Sequence, residues 1–141
     1  MTETVIVTKV IKVPADRVWT AISGIGGLER WFPVIARCRV EGEGVGAVRV
    51  LELTGGGEIR DRIERIDHGA RRFHYLRTDH PFPVTRYVGT VEVGDGGDGQ
   101  AEVAWSVEID VTAEARDEMV GFLKGALSDG IDGIERDLQG A

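Results

Sequence analysis

Between residues 35 and 111 the chain alternates apolar and polar residues in short runs broken by glycine, and from residue 113 it changes to one long run with apolar residues at threes and fours. The alternating runs are IARCRVEGEG, AVRVLEL, EIRDRIERI, RRFHYLRT, TRYVGTVEV and AEVAWSVEIDV, six strands at hairpin spacing. A seventh, with Val5, Val7, Ile11 and Val13, opens the chain and stops at Pro14. In the final run Met119, Phe122, Leu123, Ala126, Leu127, Ile131, Ile134 and Leu138 share a stripe, predicting a helix from about residue 113 to 138 with Thr112 at its start. An antiparallel sheet must bury one face, and only one element here is long enough to cover it. The pattern therefore predicts an α+β fold in which a curved seven-stranded antiparallel sheet wraps around the C-terminal helix.

Two short helices are expected after the first strand: ADRVWTAIS, begun at Pro14 and stopped by the glycines of SGIGG, and LERWFP, stopped by Pro33. With 141 residues and no repeat, a single domain spanning 1–141 is expected. A net charge of −7 opposes phosphate backbones and anionic membranes, which argues against a nucleic-acid partner. No run reaches the ~18 apolar residues of a membrane span, and the start of the chain does not read as a secretion leader. The single cysteine, Cys38, rules out an internal disulfide and suits a reducing compartment; a cytoplasmic location is expected.

Side-chain alternation assigns faces within the strands. Val103, Trp105, Val107 and Ile109 point inward on the last strand, and Tyr87, Gly89, Val91 and Val93 on the one before it. The same rule sets Asp61 on the buried face between Ile59 and Ile63, where a carboxylate must be paired, hydrated or protonated. Tyr87 or a water is the expected donor to it. Gly121, Gly125, Gly130 and Gly133 interrupt the closing helix at a cost of about 0.8–1.0 kcal/mol each relative to alanine, which suggests a helix shaped to leave room. In DHPFPVTRYVGT, residues 79–90, Pro81 and Pro83 stiffen a loop that presents Phe82 at a strand end, as a cover over something.

Other motifs carry little. GIGGLE follows a helix and not a strand, His68, His74 and His80 do not converge on a metal, and GDGGDG reads as a hairpin loop. No serine sits in a G-x-S-x-G context, and Arg60, Arg62 and Arg65 read as a solvated strand face.

The stretch VPADRVWTAISGIGGLERWFP, the G-x-G-x-x-R that leads into strand three, and GGGEIRDRIERID together resemble the START-like, or SRPBCC, superfamily over nearly the whole chain. The resemblance is strongest to the bacterial polyketide cyclase/dehydrase group and more distant to the plant abscisic-acid receptors and the birch pollen allergen. It implies a helix-grip fold with a cavity between sheet and helix. It also implies that TGGG, residues 54–57, and DHPFP, residues 79–83, close over the ligand, with Phe82 a lid at the cavity mouth. A mobile lid there requires a void above ~100 Å³ beneath the loop, itself well short of a usual ligand pocket. Polar pocket positions fall on Asp61 and Tyr87, and an aromatic one on Trp105. Where the plant receptors carry a lysine for the ligand's carboxylate this chain has Phe32, which argues against abscisic acid and leaves Arg49 or Arg37 for an acidic ligand.

The expected function is binding of a hydrophobic or aromatic small molecule, without a cofactor or metal. The cavity walls are expected from Phe32, Arg49, Leu51, Leu53, Asp61, Tyr75, Phe82, Tyr87, Trp105, Phe122 and Ala126. Two alternatives are kept. One is an aromatase/cyclase or dehydratase in which Asp61 is the general acid or base and Tyr87 steadies an enol oxygen. The other is a co-chaperone-like interaction module, favoured if side chains fill the cavity. A homodimer is left open. Asp61→Asn is expected to weaken binding or turnover while sparing stability.

Overall fold

Strand β1 (Thr2–Ile11) gives way through Pro14 to helix α1 (Ala15–Ser23), whose Val18, Trp19 and Ile22 are buried. Six further strands follow: β2 (Ile35–Glu41), β3 (Val48–Leu53), β4 (Glu58–Asp67), β5 (Arg72–Asp79), β6 (Val84–Gly97) and β7 (Gln100–Val111). Helix α2 (Ala113–Gln139) ends the chain in this computed structural model, which describes residues 1–140. The strands form one sheet of order β1-β7-β6-β5-β4-β3-β2, antiparallel at every pairing. The long connection from β1 to β2 carries the chain from one edge strand to the other, and each later strand is a hairpin neighbour of the last.

The face assignments follow the period of two. Ala101, Val103, Trp105, Val107, Ile109 and Val111 of β7 are all buried, as are Tyr87, Gly89, Val91 and Val93 of β6 and Ile59, Asp61 and Ile63 of β4. Helix α2 lays Met119, Leu123, Leu127, Ile131 and Ile134 on this face, each worth roughly 1.5–3 kcal/mol of burial. Thr112 caps it, its hydroxyl accepting a hydrogen bond from Ala115 N at 3.3 Å. No helix among the described residues is long and apolar enough to cross a membrane.

The second helix expected over 28–33 is a single 3-10 turn, Leu28–Arg30. Gly27 enters it at φ 84° and Pro33 follows closely, so only one turn fits between two residues that break helices.

The helix glycines divide into two kinds. A Cβ at Gly130 would run into the ring of Phe32, and one at Gly133 into the backbone of Trp31. A Cβ at Gly121 or Gly125 would meet nothing, both positions being exposed. The room made by Gly130 and Gly133 is thus taken by aromatic residues of the chain itself, and the other two glycines make none.

Candidate functional site

Strand pairing sets a buried charge cluster at the centre of the sheet. Asp61 on β4 stands opposite Arg49 on β3 and opposite Arg77 on β5. Arg49 donates to Asp61 Oδ2 from Nε at 3.1 Å and Nη2 at 3.0 Å, and Arg77 donates from Nε to Oδ1 at 2.8 Å and from Nη2 to Oδ2 at 3.3 Å. The side chains of Asp61, Arg49 and Arg77 are 0%, 2% and 9% exposed. Burial alone would raise the Asp61 pKa; the charges and hydrogen bonds of Arg77 and Arg49 outweigh it and hold the carboxyl below its ordinary value of 3.8. Arg49 is further tied by Nη1 to the carbonyl of Ile25 at 3.0 Å.

Aromatic rings surround the cluster. The Arg49 guanidinium lies 4.9 Å from the Tyr75 ring centre, and that of Arg77 lies 5.5 Å from Tyr75 and 4.3 Å from Tyr87. Tyr75 fits because its cross-strand neighbour is Gly89, where any Cβ would overlap the Tyr75 ring. Its hydroxyl accepts from Trp105 Nε1 at 3.1 Å, and Trp105 in turn meets Phe32 edge-on, ring centres 5.1 Å apart. Burial pushes the Tyr75 and Tyr87 pKa values up, with Arg77 pulling against it in both, so both phenols stay protonated at neutral pH.

At one end of the inner face, Phe82 of the loop between β5 and β6 stacks against His80 and Tyr87, at 5.7 and 6.2 Å, which are themselves 6.1 Å apart, and it meets Phe122 of α2 at 5.6 Å. The other predicted mouth loop touches this one: a Cβ at Gly57 would stand 3.3 Å from Pro81 Cγ. Behind the Phe82–Phe122 contact lies a cavity of about 40 Å³, lined by Phe32, Leu53, Tyr75, Phe82, Tyr87, Trp105, Phe122 and Ala126 together with Arg77, Ile59 and their apolar neighbours. In front of the contact, an open groove of about 260 Å³ runs between Phe82, Pro83, Ala115, Glu118, Met119 and Phe122.

Several expectations are corrected by this geometry. A volume of 40 Å³ holds water and not a ligand, so Phe82 is not a lid over a preformed void; it is a plug held by three aromatic neighbours. Asp61, Arg49 and Leu51 do not line the cavity. Leu51 is fully buried in the core, and Asp61 and Arg49 are consumed in their mutual pairing. Asp61 takes its hydrogen bonds from two arginines and not from Tyr87, and its carboxylate, already accepting four, is not placed to act as a general acid or base. Arg37, considered for an acidic ligand, is exposed on β2 beside Glu52.

Arg77 is the lining residue that alternation could have found and did not. On RFHYLRT, a period of two from Phe73 and Tyr75 leads inward to Arg77. Nε and Nη2 of Arg77 are spent on Asp61, whereas Nη1 and the Tyr87 hydroxyl have no hydrogen-bond partner in the protein among the described residues. No buried side-chain nitrogen or oxygen there lacks a partner, so both atoms touch accessible space, and the space both residues line is the cavity.

A curved antiparallel sheet gripping a long C-terminal helix, with a polar pair set in an otherwise apolar and aromatic cleft, defines a helix-grip protein of the SRPBCC superfamily. The chain belongs to the family described as polyketide cyclase / dehydrase and lipid transport, whose sequence profile matches residues 2–139. Among solved structures, an uncharacterised protein from Bacillus thuringiensis is similar at a TM-score of 0.85 and 27% identity, over 96% of this chain and 98% of that one. Norcoclaurine synthase from Thalictrum flavum, solved in complex with dopamine and hydroxybenzaldehyde, is similar at a TM-score of 0.80 and 22% identity, over 99% of this chain and 87% of its own. Ginseng major latex-like protein 151 from Panax ginseng gives 0.83 and 19%, over 97% of both chains. At these identities the two plant proteins share the fold. No curated protein sequence matches the chain.

Proposed function

We propose that the protein binds a hydrophobic or aromatic small molecule between the sheet and α2, at the end closed by Phe82 and Phe122. The observation that carries this reading is that two polar residues, Arg77 and Tyr87, line an otherwise apolar and aromatic cavity, with Arg77 Nη1 and the Tyr87 hydroxyl outside any hydrogen bond among the described residues. The ion pair with Asp61 accounts for Nε and Nη2 of Arg77, whereas Nη1 and the Tyr87 hydroxyl keep access to solvent in place of a protein partner and are available to a ligand. Ligand pockets are usually ~300–1,000 Å³, so the closed cavity does not suffice as it stands. A ligand has to part Phe82 from Phe122, which would join the inner cavity to the groove in front of them. The lipid-transport and cyclase chemistry of the family, and the two aromatic compounds held by norcoclaurine synthase, are in keeping with this class of ligand.

Native mass spectrometry of protein purified from its own host tests the reading. A retained small molecule, lost on denaturation, is the expected result. A ligand-free mass, together with no response of the Tyr87 and Trp105 signals to hydrophobic probes, would remove it.

A second reading, a co-chaperone-like interaction module, is favoured by the filled cavity and by Phe122, which is 40% exposed beside the outer groove. It predicts that the same experiment finds no ligand. A cyclase- or dehydratase-type reaction would have to run on Tyr87 and Arg77, since Asp61 is engaged elsewhere.

A further inference from the structure

We propose that the ligand carries a carboxylate, received by Arg77 Nη1 and the Tyr87 hydroxyl. This rests on the small-molecule reading above and narrows it to apolar acids. The inference starts from charge. The buried cluster holds two guanidiniums, Arg49 and Arg77, against one carboxylate, Asp61. The phenols beside it, Tyr75 and Tyr87, do not supply a second negative charge, because burial keeps them protonated. His80, whose pKa is lowered by burial and then by Arg77, is neutral at pH 7 and adds none. One positive charge is therefore left over inside the fold.

Its position is set by hydrogen bonding. Arg49 is used up on Asp61 and Ile25, so its guanidinium is closed to a ligand. Arg77 is anchored on Asp61 through Nε and Nη2, which fixes the guanidinium plane and leaves Nη1 as the unused donor of a residue that lines the cavity. Tyr87 lies against that guanidinium at 4.3 Å and brings an O–H to the same space. The Tyr75 oxygen accepts from Trp105, which leaves its own O–H as a further donor on the same lining. The free polar atoms are thus donors beside a surplus positive charge, enclosed by Phe32, Trp105, Phe82 and Phe122. A cation would meet only phenol oxygens beside a charge of its own sign, and a neutral carbonyl would take the hydrogen bonds but leave the charge unmatched. A carboxylate on an aromatic or aliphatic body meets the donors, the charge and the apolar wall together. Glu118, on the outer groove, is exposed to solvent that screens it from an incoming acid.

The test compares acids with their primary amides, which keep the shape and remove the charge: naphthoate with naphthamide, cinnamate with cinnamamide, and decanoate with decanamide, titrated by NMR at neutral pH. The bound acid should be favoured over its amide by about tenfold or more, the range of a charge-assisted hydrogen bond. Tyr87→Phe, which keeps the ring on Arg77, should reduce that preference several-fold while leaving amide affinity in place. Arg77→Gln should abolish it, and because that variant disturbs Asp61, the Tyr87→Phe result stands independently of whether it folds. Equal binding of acids and amides would overturn the carboxylate inference and leave the small-molecule reading standing. A preference unchanged in Tyr87→Phe and in folded Arg77→Gln would overturn it as well. Failure of every probe to bind the folded wild-type protein would overturn both.

Discussion

The inner face of the sheet has two ends that are built differently. At the end near Trp31, space made by the chain is refilled by the chain: Gly130 receives the Phe32 ring and Gly133 the Trp31 backbone, and Trp31 Nε1 is tied to Asp137 at 3.0 Å. At the end near Phe82, the closure is one aromatic contact between a proline-bracketed loop and an exposed residue of α2, and the polar atoms behind it have no protein partner. Glycine in a helix therefore does not announce a binding site. The sign to look for is side-chain donors of the cavity lining that have no protein acceptor, and Arg77 Nη1 and the Tyr87 hydroxyl are such donors. The charge cluster Arg49–Asp61–Arg77 supports that end from behind, holding Arg77 in one orientation.

The largest expected effect comes from breaking that support. Asp61→Asn leaves two buried guanidiniums without a counter-charge and should cost about 3–5 kcal/mol, read as a fall in the denaturant midpoint. This reverses the expectation that the substitution spares stability, since the carboxylate proves to be paired and not cavity-lining. The pH dependence has a definite sign. A carboxyl whose folded pKa lies below its unfolded value contributes stability above pH 3.8, and that contribution is lost as pH falls through the lower folded value. Wild type should lose stability steeply in that acid range, and Asp61→Asn should lose less there; parallel pH profiles would break the account of the cluster.

Gly133→Ala comes next. Its methyl group would meet the Trp31 backbone, which cannot rotate aside, so a loss of about 1–3 kcal/mol or more is expected by thermal or chemical unfolding. Gly125→Ala, on the exposed side of the same helix, should instead stabilise by roughly 0.8–1.0 kcal/mol. Equal effects at the two positions would dissolve the contrast between packed and unpacked helix glycines.

Much of this architecture was legible in the sequence. Alternation put Trp105, Tyr87 and Asp61 inward, and the threefold and fourfold spacing of Met119 to Ile134 outlined α2. The partners of Asp61 were harder to see, because they depend on register. Strand pairing sets Arg49 and Arg77 opposite Asp61, with an extra residue in β5, Thr78, on one side of the Asp61–Arg77 match and one in β4, Glu64, on the other, and such an irregularity shifts the pairing in a way that the pattern of neither strand announces. Arg77 was nonetheless within reach of the period-two rule from Phe73 and Tyr75. The size of the cavity was not legible at all. Whether Phe82 and Phe122 leave a void or fill it depends on where a loop and a helix meet, and no local pattern encodes that distance. The shrinkage of LERWFP to one turn was legible in part, since Gly27 and Pro33 bound it on either side.

Phe122→Ala gives a smaller effect on stability. The ring is partly exposed, so its loss should cost about 1 kcal/mol or less, while removing one side of the plug and raising affinity for the acid probes. Unchanged affinity would show that the Phe82–Phe122 contact is not the gate.

The most direct test of the two-ended account is a residue-resolved NMR titration of the wild-type protein with the tightest of the acid probes. The aromatic signals of Phe82, Tyr87, Trp105 and Phe122 should shift together and saturably, while Trp31 and Gly133 stay where they are. Saturable shifts at Trp31 and Gly133, with Phe82 and Tyr87 unmoved, would contradict the account.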